Sequence, residues 1–90
     1  MPYRVETKPA ARKALDRLPK DVRKRIFARI DALAENPRPH GVEKLTAPVD
    51  LYRIRIGSYR VIFTIQDDVL LVVIVKIAPR GDVYRRLLSR

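Results

Sequence analysis

LYRIRIGSYRVIFTIQDDVLLVVIVKIAPRGDVY, residues 51–84, is the stretch that decides the fold. Its opening residues alternate strictly, which sends Tyr52, Ile54 and Ile56 to one face of a strand and Arg53 and Arg55 to the other. Gly57-Ser58 then supplies a two-residue hairpin loop, with glycine at the first central position as a type II′ turn wants. Such a loop sets the register: Ile56 meets Tyr59, Arg55 meets Arg60, Ile54 meets Val61 and Arg53 meets Ile62. Tyr52, Ile54, Ile56, Tyr59, Val61 and Phe63 therefore share an apolar face, while Arg53, Arg55 and Arg60 converge on the opposite one. Asp67-Asp68 makes a second tight turn into a strand over 69–77. That strand is apolar on both faces, which predicts a central place in the sheet. Pro79 ends it, Arg80-Gly81 forms a turn, and Asp82 caps a short helix over 83–89.

The arginine face has a cost. Like charges directly opposite on a sheet destabilise it by about 0.2–1 kcal/mol per pair, and the hairpin offers no acidic residue on that face. An anion seated there removes the penalty. A solvated basic edge is the plainer alternative, since arginine stems also cover apolar surface. The hairpin alone leaves the two readings level. Two tight hairpins, however, bring the end of the third strand beside the start of the second, carrying Arg80 and Tyr84 towards Gly57, Tyr59 and Arg60. Guanidiniums at 53, 55, 60 and 80 around one groove bind phosphate in two-point fashion and stay charged at any physiological pH. Tyr84 then either stacks on a nucleobase or packs the terminal helix onto the sheet.

The first half of the chain supplies the cover for this sheet. Tyr3 to Glu6 reads as a short strand, and Thr7 or Lys8 caps a helix with Pro9 in its first turn, where a missing N–H costs nothing. Ala11, Ala14, Leu15 and Leu18 form its inward stripe. After Leu18-Pro19 a second helix runs over 20–35. It buries Val22, Ile26, Ile30, Leu33 and Ala34, has Phe27 at the stripe's edge, and stops at Asn36-Pro37. Arg12, Lys13, Arg17, Arg23, Lys24, Arg25 and Arg29 occupy the outer faces, a charge run that by itself is no more than a solvated face. Residues 37–50 are irregular, with a brief strand or turn over 43–46. The order βααβββα predicts an α+β fold: a small, mainly antiparallel sheet with an N-terminal α-hairpin on one face.

Composition narrows the partners. Ninety residues make one small domain, 1–90, and 20 Lys+Arg against 10 Asp+Glu give a net charge of +10, which favours a polyanion. With 47% hydrophobic residues the charge sits on a folded domain. The absence of cysteine excludes disulfides and fits the cytoplasm. No secretory leader is visible at the start, and the longest apolar run is too short to span a bilayer, so no membrane partner is expected. A cationic site implies no metal or other cofactor. His40, the only histidine, falls in the Pro-rich loop and reads as a bystander.

LYRIRIGSYRVIF, followed by an apolar strand and IAPRGDVY, resembles the RelE branch of the RelE/ParE toxin superfamily over essentially the whole chain. The Leu-Pro between the helices and Lys44-Leu45 before the hairpin belong to the same pattern. The resemblance implies a cytoplasmic toxin of a type II toxin–antitoxin pair that enters the A site of the 70S ribosome and cleaves mRNA. A cognate acidic, RelB-like antitoxin would be its partner, and operator DNA would be reached only through that antitoxin. Arg60, Arg80 and Tyr84 match the family's catalytic positions, and Arg53 and Arg55 its RNA-binding basic pair, where lysine is frequent. Arginine at both positions cannot release a proton at neutral pH. Ser58, where Asp is frequent, removes an acidic neighbour. The general base is then Tyr84, the ribosome or water. The same fold also serves ParE-like inhibitors of DNA gyrase, against which retention of Arg60, Arg80 and Tyr84 argues; arginine at both 53 and 55 keeps open a family member that binds antitoxin or RNA without cleaving.

Overall fold

Strand β1 (Arg4–Thr7) leads into helix α1 (Pro9–Asp16) and then α2 (Lys20–Ala32). After an irregular segment come β2 (Glu43–Lys44), β3 (Tyr52–Ile56), β4 (Tyr59–Gln66) and β5 (Leu71–Pro79). This computed structural model describes residues 2–45 and 50–79. The expected turn at Arg80-Gly81, the Asp82 cap and the helix over 83–89 lie outside the described residues. The sheet order is β1-β5-β4-β3-β2, with β1 parallel to β5 and every other pair antiparallel. The α+β architecture follows the sequence expectation, with one refinement: β5 is an inner strand, but the middle place belongs to β4.

The first hairpin has the register that its loop length dictates, pairing Ile56 with Tyr59, Arg55 with Arg60, Ile54 with Val61 and Arg53 with Ile62. Gly57 takes φ +61 while Ser58 keeps a negative φ, so only the first central residue needs glycine, as in a type II′ turn. The second turn differs from expectation. It spans Asp67 to Leu70 rather than two residues, and Leu70 adopts φ 51, a left-handed conformation unusual for a branched residue. Strand β5 consequently starts at Leu71, and Val69 is left 59% exposed at the turn.

A bulge explains how β5 is apolar on both sides. Ile62 pairs with Lys76 but Phe63 pairs with Ile74, so Val75 is the extra residue. The kink lets Val72, Ile74 and Ile77 all face the helices, although strict alternation would turn Ile77 away from Ile74. These three join Ala11, Leu15, Ile26, Ile30, Leu33, Tyr52, Ile54, Ile56, Val61 and Phe63 in the main core. On the other face Leu51 and Ile62 are buried, with Leu45, Val75 and Ala78 packed against them. That second face is therefore part arginine and part apolar.

Helix α1 begins with Pro9 at its first position and no side-chain cap at Lys8. Helix α2 ends at Ala32, earlier than the periodicity suggests. Leu33, Ala34 and Glu35 follow with N–H bonds to Ile30, Asp31 and Ala32 at 3.0–3.1 Å, a tightened final turn that still buries Leu33. Phe27 points away from the core and is 55% exposed. The segment after α2 is held by Arg38. Its guanidinium makes a two-point bond to Asp67 (3.1 and 2.9 Å), donates to the Tyr52 hydroxyl at 3.3 Å and lies 5.3 Å from the Tyr52 ring centroid. Tyr3 donates its hydroxyl to the same carboxylate at 2.6 Å. Arg38, then Tyr3, hold the Asp67 carboxyl down at about 2; the bond to Asp67 in turn raises the Tyr3 phenol.

Candidate nucleic-acid interface

Strand alternation on β3 and the hairpin register put Arg53, Arg55 and Arg60 on one face, with Arg55 directly opposite Arg60. The three are not equivalent. Arg55 is exposed and Arg60 half-buried, whereas the Arg53 side chain is only 15% exposed and its guanidinium is bound by the Glu43 carboxylate. Glu43 comes from β2, where it sits directly opposite Arg53. The hairpin itself has no acidic residue on that face, as the sequence expects, but the neighbouring strand supplies one. An opposite-charge pair across strands offsets part of the repulsion among the arginines.

Among the described residues strand β2 pairs only with Tyr52 and Arg53 and stops short of Arg55. There a cleft of about 280 Å³ opens, lined by Arg29, His40, Gly41, Glu43, Arg53, Ile54 and Arg55. Arg29 reaches it from α2. One turn earlier on the same helix, Arg25 lies over the hairpin tip, with Nη1 3.1 Å from where a Cβ on Gly57 would stand. Arginines from a helix and from a strand thereby border one concavity. Three guanidiniums against one carboxylate leave it net positive before His40 is counted.

The hairpin register brings Arg53, Arg55 and Arg60 to one face, as the sequence expects. Arg80 and Tyr84 lie outside the described residues; the described part of β5 ends with Ala78 paired to Arg60 and Pro79 to Tyr59. Arg25, Arg29, Glu43 and His40 are additions. The four-residue spacing of Arg25 and Arg29 puts them on one helix face and was a usable signal. Glu43 and His40 carried none, because a two-residue strand and a Pro-rich loop have no periodicity to read.

The sequence model for the ParE toxin of type II toxin–antitoxin systems, parDE, matches residues 5–84. Toxin RelG of Mycobacterium tuberculosis is 33% identical over 88 residues, spanning 96% of this chain and 100% of that protein. The chain is a RelE-family toxin of the RelE/ParE superfamily. The toxin also matches a chain of the archaeal RelE–RelB complex from Pyrococcus horikoshii OT3 with a TM-score of 0.81 at 38% identity, covering 90% of this chain and 98% of that one. A chain of the toxin–antitoxin complex RelBE2 from M. tuberculosis gives a TM-score of 0.77 at 26% identity, covering 89% and 100%. The toxin therefore belongs to a type II toxin–antitoxin system. Among its described residues no helix is long and apolar enough to cross a membrane.

Proposed function

We propose that the toxin is a metal-independent endoribonuclease that enters the ribosomal A site and cuts mRNA there. The observation that carries this reading is the gathering of Arg53, Arg55 and Arg60 on one sheet face beside a cleft bordered by Arg29. In the reaction, the 2′-OH of one nucleotide attacks its own 3′-phosphate in line. The 5′-oxygen departs, and a 2′,3′-cyclic phosphate remains. Negative charge builds on the phosphoryl oxygens, and Arg60 with Arg80 meets it. Arg55 holds the flanking backbone, with Arg53 beside it braced by Glu43. Tyr84 stacks on a base or takes the 2′-OH proton. The assignment of Arg80 and Tyr84 rests on the family motif alone.

Restraint of this activity falls to an acidic RelB-like antitoxin. The net charge of +10 supports it, as do the RelB-bound structures of similar toxins. A second cleft, between α1 and α2, is lined by Leu15 and the exposed Phe27 and rimmed by Arg12, Arg23 and Lys24, with Asp16 the only acid among the described residues that line it. Its apolar floor and basic rim suit an acidic amphipathic segment.

The match to the ParE model favours one alternative, inhibition of DNA gyrase on the same fold. Expression without antitoxin separates the two. The nuclease reading expects translation arrest, with transcripts cut inside reading frames when mapped by primer extension. Intact transcripts together with trapped gyrase–DNA cleavage complexes would transfer the protein to the second class.

A further inference from the structure

Lys76 is the one polar side chain of β5, whose other residues are all apolar. Strict alternation from the buried Ile74 would turn it into the core beneath the helices. The bulge at Val75 prevents this. Ile62 pairs with Lys76, so the lysine emerges on the face that carries Ile62, and Ile77 returns to the core. Two rows of side chains then cross three strands of that face. Arg55, Arg60 and Ala78 make one row, and Arg53, Ile62 and Lys76 make the next. Lys76 is thus the diagonal neighbour of Arg60, at a separation of roughly 7–8 Å that two long side chains can span. It is half-buried, as Arg60 is. The bulge therefore aims a lysine at the proposed reaction centre from the strand facing Arg60.

We infer that Lys76 is the general acid of the proposed cleavage, giving its proton to the departing 5′-oxygen. The inference rests on the RNA-cleaving reading and deepens it by assigning a residue to the leaving group. The 2′-oxygen bonds to phosphorus as the P–O5′ bond breaks, and the electron pair of that bond stays on the 5′-oxygen. A proton from Nζ of Lys76 makes that oxygen an alcohol. The 2′-OH proton goes to the base and from it to water, and water returns a proton to the amine. A guanidinium does not release a proton in a protein, so Arg53, Arg55 and Arg60 can stabilise charge but cannot make this transfer. A lysine ammonium can. Glu43, which joins this face through β2, is engaged by Arg53. Among the described strand residues on this face, Lys76 is the cation able to serve the leaving group.

The test changes the leaving atom. Ribosome-bound mRNA is prepared with sulfur in place of the bridging 5′-oxygen at the mapped cut site, because a thiolate departs without needing a proton. On the natural oxygen substrate, single-turnover cleavage should fall by about 10²–10⁴ in both Lys76→Ala and Lys76→Arg. On the sulfur substrate both variants should cut at close to the parent rate. Lys76→Arg carries the deciding comparison, since it keeps the charge and the reach but not the transferable proton. Its Kd for a short 2′-O-methyl RNA, which lacks the attacking hydroxyl, should match that of the parent toxin. A residue that only held phosphate or supported the sheet would lose equally on both substrates. Such an equal loss in a variant that melts at the parent temperature overturns the acid role and leaves the RNA-cleaving reading standing. Parent-like cutting of the oxygen substrate by either variant overturns it as well. A parent toxin that cuts neither substrate overturns that reading, and the role of Lys76 with it.

Discussion

Arg55 and Arg60 face each other across neighbouring strands, two like charges directly opposite, while Glu43 is bound to Arg53. The pair's burial then divides the proposed work. Exposed Arg55 is suited to holding RNA before reaction. Half-buried Arg60 has fewer orientations open to it and is suited to charge that appears only in the transition state. Arg60→Ala should therefore lower single-turnover cleavage of ribosome-bound mRNA by about 10²–10³ with little loss of binding. Arg55→Ala should chiefly raise Kd, with a smaller effect for Arg53→Ala, since Glu43 already occupies that guanidinium. Equal cleavage rates in the parent and Arg60→Ala would remove Arg60 from the chemistry. A different residue contributes to the pH dependence of stability at acid pH. Asp67 is depressed to about 2 by Arg38 and Tyr3, from about 3.8 in the unfolded chain. A carboxyl with a lowered folded pKa stabilises fully above its unfolded value and loses that contribution as pH falls towards the folded one. The Tm advantage of the parent over Asp67→Asn should thus be constant above about pH 5 and shrink between about pH 4 and 2. A gap that stays constant across that acid window would mean that Asp67 does not titrate as the Arg38 contact requires.

Elements built from local rules were legible in the sequence, and those set by long-range contacts were not. The β3–β4 hairpin is the clearest case, because strict alternation and a Gly-first two-residue loop leave one register that keeps the apolar set on one side. Its dependence on Gly57 can be measured. Any other residue at φ +61 carries backbone strain of about 1–3 kcal/mol, while the neighbouring Arg25 is a flexible side-chain end that can move aside. Gly57→Ala should lower Tm by roughly 4–8 °C per kcal/mol, and Gly57→Asn by less, since asparagine tolerates positive φ. An unchanged Tm in Gly57→Ala would show that the loop abandons the type II′ geometry. The β4–β5 turn is longer than its sequence suggests, because Asp67-Asp68 looks like a complete turn, whereas Leu70 adopts the positive φ with no Gly or Asn to announce it. The Asp67 carboxylate serves the Arg38 contact besides, and its backbone C=O accepts from the Leu70 N–H at 3.4 Å. The bulge at Val75 was equally silent, since an all-apolar strand has no alternation to break. Half of the candidate site was readable for the same reason: hairpin arginines have a register, whereas Glu43 and His40 enter through pairing and loop contacts between distant parts of the chain.

At the scale of the molecule the two proposed surfaces have the same sign but different characters. The cleft at β3 is walled by arginines and a histidine, whereas the one between α1 and α2 has an aromatic floor with a basic rim. A net charge of +10 draws any polyanion to both, so attraction alone cannot separate RNA from an acidic antitoxin. Phe27 can. A phosphate backbone gains little from an exposed phenyl ring, but the apolar side of an amphipathic protein segment gains roughly half of a phenylalanine burial, about 1 kcal/mol or fivefold in affinity. Phe27→Ser should weaken antitoxin binding by about that factor, leave RNA binding unchanged, and hold folding stability within about 0.5 kcal/mol because the ring is outside the core. Salt supplies the complementary control. Both complexes should weaken as ionic strength rises, but the antitoxin complex should retain its Phe27 increment at high salt, where screening leaves apolar burial intact. Calorimetry of the toxin with its antitoxin, parent against Phe27→Ser at low and high salt, checks this. An increment that vanishes with salt would place the antitoxin on the arginine face instead of between the helices.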